Sequence, residues 1–88
     1  MNCWIGVERK GNCRIIRLAG DFNAAQVSEL VAACAPGEGP VELDLSDLVY
    51  ADASGIVALR RLREQGVALM RIPGYIQLKI DAPFQGSR

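Results

Sequence analysis

Eighty-eight residues, half of them apolar, are enough for one small domain around a single core. Ten basic and ten acidic residues cancel, so no long-range field draws the chain to nucleic acid or to an anionic membrane. There is no histidine, which disfavours Ser-His-Asp and Cys-His nucleophile activation and most zinc and iron centres.

The opening MNCWIGVERKGN lacks the charged leader and apolar run of a signal peptide, and no apolar stretch approaches the ~20 residues that cross a bilayer. The expectation is a cytoplasmic protein with no direct membrane insertion. Cys3, Cys13 and Cys34 form no C-x-x-C pair, and read as reduced thiols serving as small apolar core residues.

In chain order, Cys3, Ile5 and Val7 alternate with Trp4, Gly6 and Glu8, predicting a first strand over about residues 2–8. Arg9-Lys10-Gly11-Asn12 is a turn, and Cys13 to Ala19, rich in β-branched residues, predicts a second strand antiparallel to the first. Asn23 is a good N-cap for a helix in which Val27, Leu30, Val31 and Cys34 form one buried stripe. Two prolines and two glycines within Ala35–Pro40 stop that helix.

The next stretch, VELDLSDLVYADASGIVALRRLREQG, organises the chain. Val41, Leu43 and Leu45 alternate with polar residues as a strand does, and a tight turn at Ala51-Asp52-Ala53-Ser54-Gly55 leads into an amphipathic helix over about Ala53–Gln65. Asp52 and Ser54 are both credible N-caps. Ile56, Leu59 and Leu62 face inward, widened by Val57 and Ala58, while Arg60, Arg61, Arg63 and Glu64 face water, and Gly66 ends the helix. A fourth strand over Val67–Ile72, apolar on both faces except for Arg71, suits an interior position covered above and below. Pro73-Gly74 opens a last short helix with Tyr75, Leu78, Ile76 and Ile80 facing inward and Pro83 at its end; residues 82–88 are expected to fray.

The order β-β-α-β-α-β-α predicts a single α/β domain over residues 1–88, a mixed four-stranded sheet with helices packed on it and right-handed parallel crossovers after each helix. No repeat, low-complexity segment or second domain is present in the sequence.

Among residues that could carry chemistry, Ser54 stands out. As a cap it contributes ~1 kcal/mol. Flanked by Ala53 and Gly55 at a helix start, its hydroxyl is also sterically open, and phosphorylation there would add a charge of about −1.5 to −2 that a partner surface feels. A hydrolase nucleophile is disfavoured, because Asp52-Ala53-Ser54-Gly55-Ile56 is not G-x-S-x-G and no histidine can act as base. Asp44, Asp47 and Asp52 match no calcium loop and read as solvated polar positions, so no metal and no cofactor are expected. A nucleotide at the helix start has no phosphate-cradling glycine loop to support it.

The run Leu43 to Gly55, LDLSDLVYADASG, resembles the signature of the STAS family, the domain of bacterial anti-sigma-factor antagonists of the SpoIIAA type, in which a buried strand ends in D-S-S-G or D-x-[ST]-G. Gly20-Asp21-Phe22-Asn23 resembles the family's G-E-L-D, and Val67 to Pro73 with Tyr75-Ile76 its following strand and turn, so the resemblance spans about Cys13 to Ile80. It implies a non-enzymatic regulatory module that binds an anti-sigma factor or serine kinase, with Ser54 in the place of the phosphorylated serine, Asp52 in that of the preceding acid and Gly55 in that of the glycine. The partner surface it implies comprises Asn23, Asp52, Ala53, Ser54, Gly55, Arg60 and Arg61. Asn23 replaces an acid and Ala53 the first serine, and the chain stops where the family continues with another strand and helix; a homodimer is one way to complete the sheet. The alternative implied by the same resemblance is a non-switching STAS subunit of a bacterial ABC lipid-transport complex, its partner the transporter ATPase.

Overall fold

The chain begins as a hairpin. In the computed structural model, which describes residues 3–35, 37 and 39–82, β1 (Cys3–Lys10) and β2 (Cys13–Phe22) pair antiparallel from Cys3 opposite Gly20 to Lys10 opposite Cys13. Only Gly11 and Asn12 separate the strands, and Gly11 has φ +61°, which a two-residue turn with glycine first requires. Both strands run further than their alternation predicts, because the ladder continues through Arg9-Lys10 and through Gly20-Asp21-Phe22.

α1 (Ala24–Ala33) starts where expected: Asn23 Oδ1 accepts from the Ala25 amide at 2.9 Å, and Gln26 Oε1 accepts from the Asn23 amide at 3.4 Å, closing a capping box. The chain returns as β3 (Val41–Asp44), parallel to β2 with Ile16 opposite Leu43. A turn at Ser46-Asp47 then yields a strand the sequence reading did not separate, β4 (Leu48–Ala51), parallel to the last residues of β2 beyond a register shift after Gly20. The sheet is therefore five-stranded rather than four-stranded, in the order β1-β2-β3-β5 with β4 beside the end of β2. The alternation of Val41–Leu45 hid the break, since Leu45 and Leu48 are both buried on either side of it.

α2 (Ala53–Glu64) leads to Gly66 at φ +104° and then β5 (Ala68–Met70), parallel to β3; α3 (Gly74–Asp81) follows. β5 is an edge strand with one face open, not an interior strand covered on both. All three helices bury their apolar faces in one core with Ile16, Leu18, Phe22, Leu43 and Leu45: Leu30 and Cys34 from α1, Ile56, Leu59 and Leu62 from α2, Ile76 and Ile80 from α3. The inward stripes are narrower than predicted. Val31, Tyr75 and Leu78 are exposed and Val27 is half-buried, because α1 and α3 flank α2 on the sheet's covered face and, among the described residues, each packs against that one helix and turns the rest of its apolar surface outward. Of the cysteines, only Cys34 is fully buried; Cys3 and Cys13 are partly covered. Burial pushes the Cys34 thiol up to about 11, against the opposing pull of the Arg14 guanidinium.

The uncovered face of the sheet is not apolar. It carries Glu8 of β1, Arg17 of β2, Glu42 and Asp44 of β3 and, just past β5, Arg71. Asp44 corrects the reading of a solvated carboxylate: it is 6% exposed, accepts the Ser46 amide at 3.0 Å and pairs with Arg71 at 3.1 Å, while Arg17 lies 3.9 Å away. Burial opposes its ionisation, but the Ser46 hydrogen bonds and the Arg71 guanidinium outweigh it and hold the carboxyl below its ordinary value. Arg71 reaches Asp44 from the left-handed backbone region, at φ +56°, rare for a residue with a side chain.

Expectations for Pro83 and the frayed tail fall outside the described residues, apart from Ala82, which is exposed and directly follows α3.

Candidate functional site

The strand-to-helix turn is built over Phe22. The Asp52 amide donates to the Phe22 carbonyl at 3.1 Å, extending the ladder that joins β4 to β2 by one bond before the chain rises into α2. A Cβ added at Gly55 would lie 2.8 Å from Phe22 Cδ2 and 2.9 Å from the Phe22 carbonyl oxygen. Glycine is required here by packing: Gly55 is buried, and its missing side chain makes room for the core rather than for a partner.

Asp52 caps α2, with Oδ1 accepting from the Gly55 amide at 2.8 Å. Its other oxygen accepts from the Ala24 amide at 3.4 Å, the first residue of α1. One carboxylate therefore serves two helix N-termini, where its charge meets the positive ends of both backbone dipoles. Of the two caps the sequence allowed, Asp52 is the one used. This releases Ser54: it is exposed, one residue inside α2, and its hydroxyl makes no hydrogen bond among the described residues.

Beside Ser54 a shallow groove runs between α1 and α2. Ala24, Val27 and Val31 line it from α1, and Ala53, Ser54, Val57 and Arg61 from α2. Ser54, Val57 and Arg61 recur three and four residues apart, so the hydroxyl, the apolar contact and the guanidinium lie along one face of α2. The sequence reading places these three valines in the core or at its margin; helical spacing alone does not distinguish a valine facing a core from one facing a groove.

The structure brings Ala53, Ser54 and Arg61 together on this face, with Asp52 at its end bonded to Ala24, while Gly55 is buried beneath it and Asn23 and Arg60 are engaged elsewhere. Asn23 is committed to the α1 cap. Arg60 lies on the opposite flank of α2 and corrects the reading of a water-facing side chain: its Nε donates to the Ile80 carbonyl at 2.7 Å and its Nη2 to the Lys79 carbonyl at 3.2 Å and to the Ala82 carbonyl. It thereby satisfies carbonyls that α3 leaves open at its C-terminal end. Arg63 binds the same helix end through Asp81 at 3.2 Å; the Gln77 hydrogen bond and then Arg63 hold the Asp81 carboxyl below its usual value.

The model of the STAS family described as "Mlab, STAS domain" matches residues 5–71, which take in β1 from Ile5 onward, the other four strands and the whole Asp52–Ser54 turn. The chain belongs to the STAS family. Among solved structures it is similar to an antisigma-factor antagonist STAS domain from Rhodobacter sphaeroides, with 24% identity, a TM-score of 0.52, and coverage of 77% of this chain and 80% of that one. At that identity the likeness carries the STAS fold. No curated protein matches. Among the described residues, no helix is long and apolar enough to cross a membrane, and no three Cys, Asp or Glu side chains cluster as a metal site would.

Proposed function

We propose that this STAS domain is a regulatory binding module of the anti-sigma-factor-antagonist kind, which docks a protein partner on the α1–α2 face and is released by phosphorylation of Ser54. The observation that carries the reading is the free, exposed Ser54 hydroxyl beside a cap already supplied by Asp52. Because Asp52 holds the helix end, modification of Ser54 costs the fold no hydrogen bond.

A phosphate on Ser54 would sit near the positive end of α2, which tolerates it, while the partner meets about two added negative charges next to Asp52. Before modification the same surface offers Val27, Val31 and Val57 for apolar contact and Arg61 for an acidic group of the partner. Loss of ~3 kcal/mol of such contacts lowers affinity roughly a hundredfold.

A second reading, the non-switching subunit of an ABC lipid-transport complex, is favoured by the apolar groove, which a helix of an ATPase could fill permanently with no part for Ser54. Affinity capture from the cognate cell extract with wild type, Ser54→Asp and Val57→Glu distinguishes the two. The switch predicts a kinase-like or anti-sigma partner held by wild type and lost by both variants. An ATPase held equally by wild type and Ser54→Asp, and lost only by Val57→Glu, overturns the switch and selects the second reading.

A further inference from the structure

We infer that two copies of this chain associate through the free edge of β1, antiparallel about a two-fold axis at Gly6, to extend the sheet across the dimer.

The edge is defined by backbone direction. The Arg14 amide donates to the Pro40 carbonyl and the Gly20 amide to the Asp47 carbonyl, so the even-numbered residues of β2 turn their backbone toward β3 and β4. The odd ones, Cys13, Ile15, Arg17 and Ala19, therefore face β1 and bind its even-numbered residues, Lys10, Glu8, Gly6 and Trp4. That leaves the amides and carbonyls of Cys3, Ile5, Val7 and Arg9 pointing outward along an eight-residue strand.

Two usual protections of such an edge, a proline and a bulge, are absent from β1, and its charges are confined to the Glu8-Arg9-Lys10 end. Its first five residues, Cys3 to Val7, carry no charge, and Trp4 and Val7 are 58% and 56% exposed. The other edges are three residues long at β5 and four at β4.

The side chains select a second copy and a register. A two-fold at Gly6 places Ile5 opposite Val7 of the other copy, twice, covering the exposed valine with an apolar side chain. Cys3 then lies opposite Arg9, and Glu8 opposite Trp4, so no two like charges face each other. Gly6 meets Gly6, where the strands carry the least bulk. The Trp4 ring already lies across its own Gly6, so that any Cβ there would strike it, and both rings would flank the axis. Moving the axis to Glu8 or Arg9 would oppose like charges.

Sedimentation equilibrium of the full chain tests the association. The expected result is a reversible shift from the 9.5 kDa monomer to twice that mass as concentration rises toward roughly millimolar. Val7→Pro removes an outward amide that no strand of the same chain uses, and Val7→Lys places a charge on the edge; both should stay at monomer mass with an unchanged circular dichroism spectrum. In wild type, exchange of the Ile5 and Val7 amides should slow with concentration, and isotope-filtered nuclear Overhauser effects should join Ile5 of one copy to Val7 of the other. A single 9.5 kDa species throughout, a dimer that persists in folded Val7→Lys, or intermolecular contacts elsewhere would overturn the inference.

Discussion

The Asp52 carboxylate reaches the backbone amide of Ala24 at 3.4 Å across 28 residues of chain, while its other oxygen holds the Gly55 amide at 2.8 Å. The relation fixes the start of α1 against the start of α2 and so sets the width of the groove between them. It also explains why an acid two residues before the exposed serine belongs to the fold before it belongs to any signal: removing it would leave donors at two helix ends unsatisfied.

Asp52→Ala should lower stability by about 1–2 kcal/mol, in the range of a lost N-cap, and the unfolding midpoint by roughly 4–16 °C in a domain of this size. Asp52→Asn keeps an acceptor for Gly55 and should recover most of the loss. Thermal unfolding followed by circular dichroism checks both. By contrast, Ser54→Ala should change the midpoint little, because Ser54 supplies no cap.

Gly55→Ala improves intrinsic helix propensity by about 1 kcal/mol, yet should destabilise by roughly 1–3 kcal/mol net. Its methyl group would stand 2.8 Å from the Phe22 ring and 2.9 Å from the Phe22 carbonyl, so β2 or α2 must shift. Chemical denaturation of the variant beside Phe22→Leu, which relieves the ring contact, should show the two changes to be non-additive.

Acid should weaken the fold in part through Asp44. Its folded-state carboxyl ionises below the ordinary value of 3.8, despite burial, because of the Ser46 amide and Arg71. A group with a depressed folded pKa contributes stability fully above its unfolded value and loses it as pH falls toward the folded one. Stability should therefore hold from neutrality to about pH 5 and decline below about pH 4. In Asp44→Asn the acid slope should be shallower and the stability at neutral pH lower, measured by denaturant midpoints across pH.

Thiol labelling should separate the cysteines. Cys34, buried and pushed up to about 11, should react with iodoacetamide at mildly alkaline pH only as fast as the domain opens, whereas partly covered Cys3 and Cys13 react sooner. Mass spectrometry of timed samples reads the order. Equal rates would mean that the α1 end, where the Arg14 guanidinium holds the Ala33 carbonyl at 2.8 Å, is open in solution.

The hairpin, both inner helix starts and the D-x-S-G turn were legible because each rests on local chemistry: a glycine at positive φ, a side chain that caps, an apolar period. What escaped depended on tertiary company. β4 does not stand apart from β3 in the sequence because a two-residue turn between buried leucines keeps the apolar spacing. β5 looked interior because Val67–Ile72 is apolar, and the sequence does not show that only β3 stands beside it. Val27 and Val57 carry the periodicity of core residues and, half-buried, also line a groove, Val27 while packing against the core. Arg60 carries that of a wet surface and closes the end of α3, a contact twenty residues away in sequence that no local pattern encodes.

The central claim is that the Ser54 face docks a partner and that phosphate closes it. Its most direct test is the affinity of the captured partner for the unmodified domain and for the same domain carrying phosphoserine at position 54, with Ser54→Ala as control, by isothermal titration calorimetry. Wild type and Ser54→Ala should bind with equal affinity and the phosphorylated form roughly a hundredfold more weakly. Indistinguishable affinities for all three would contradict it.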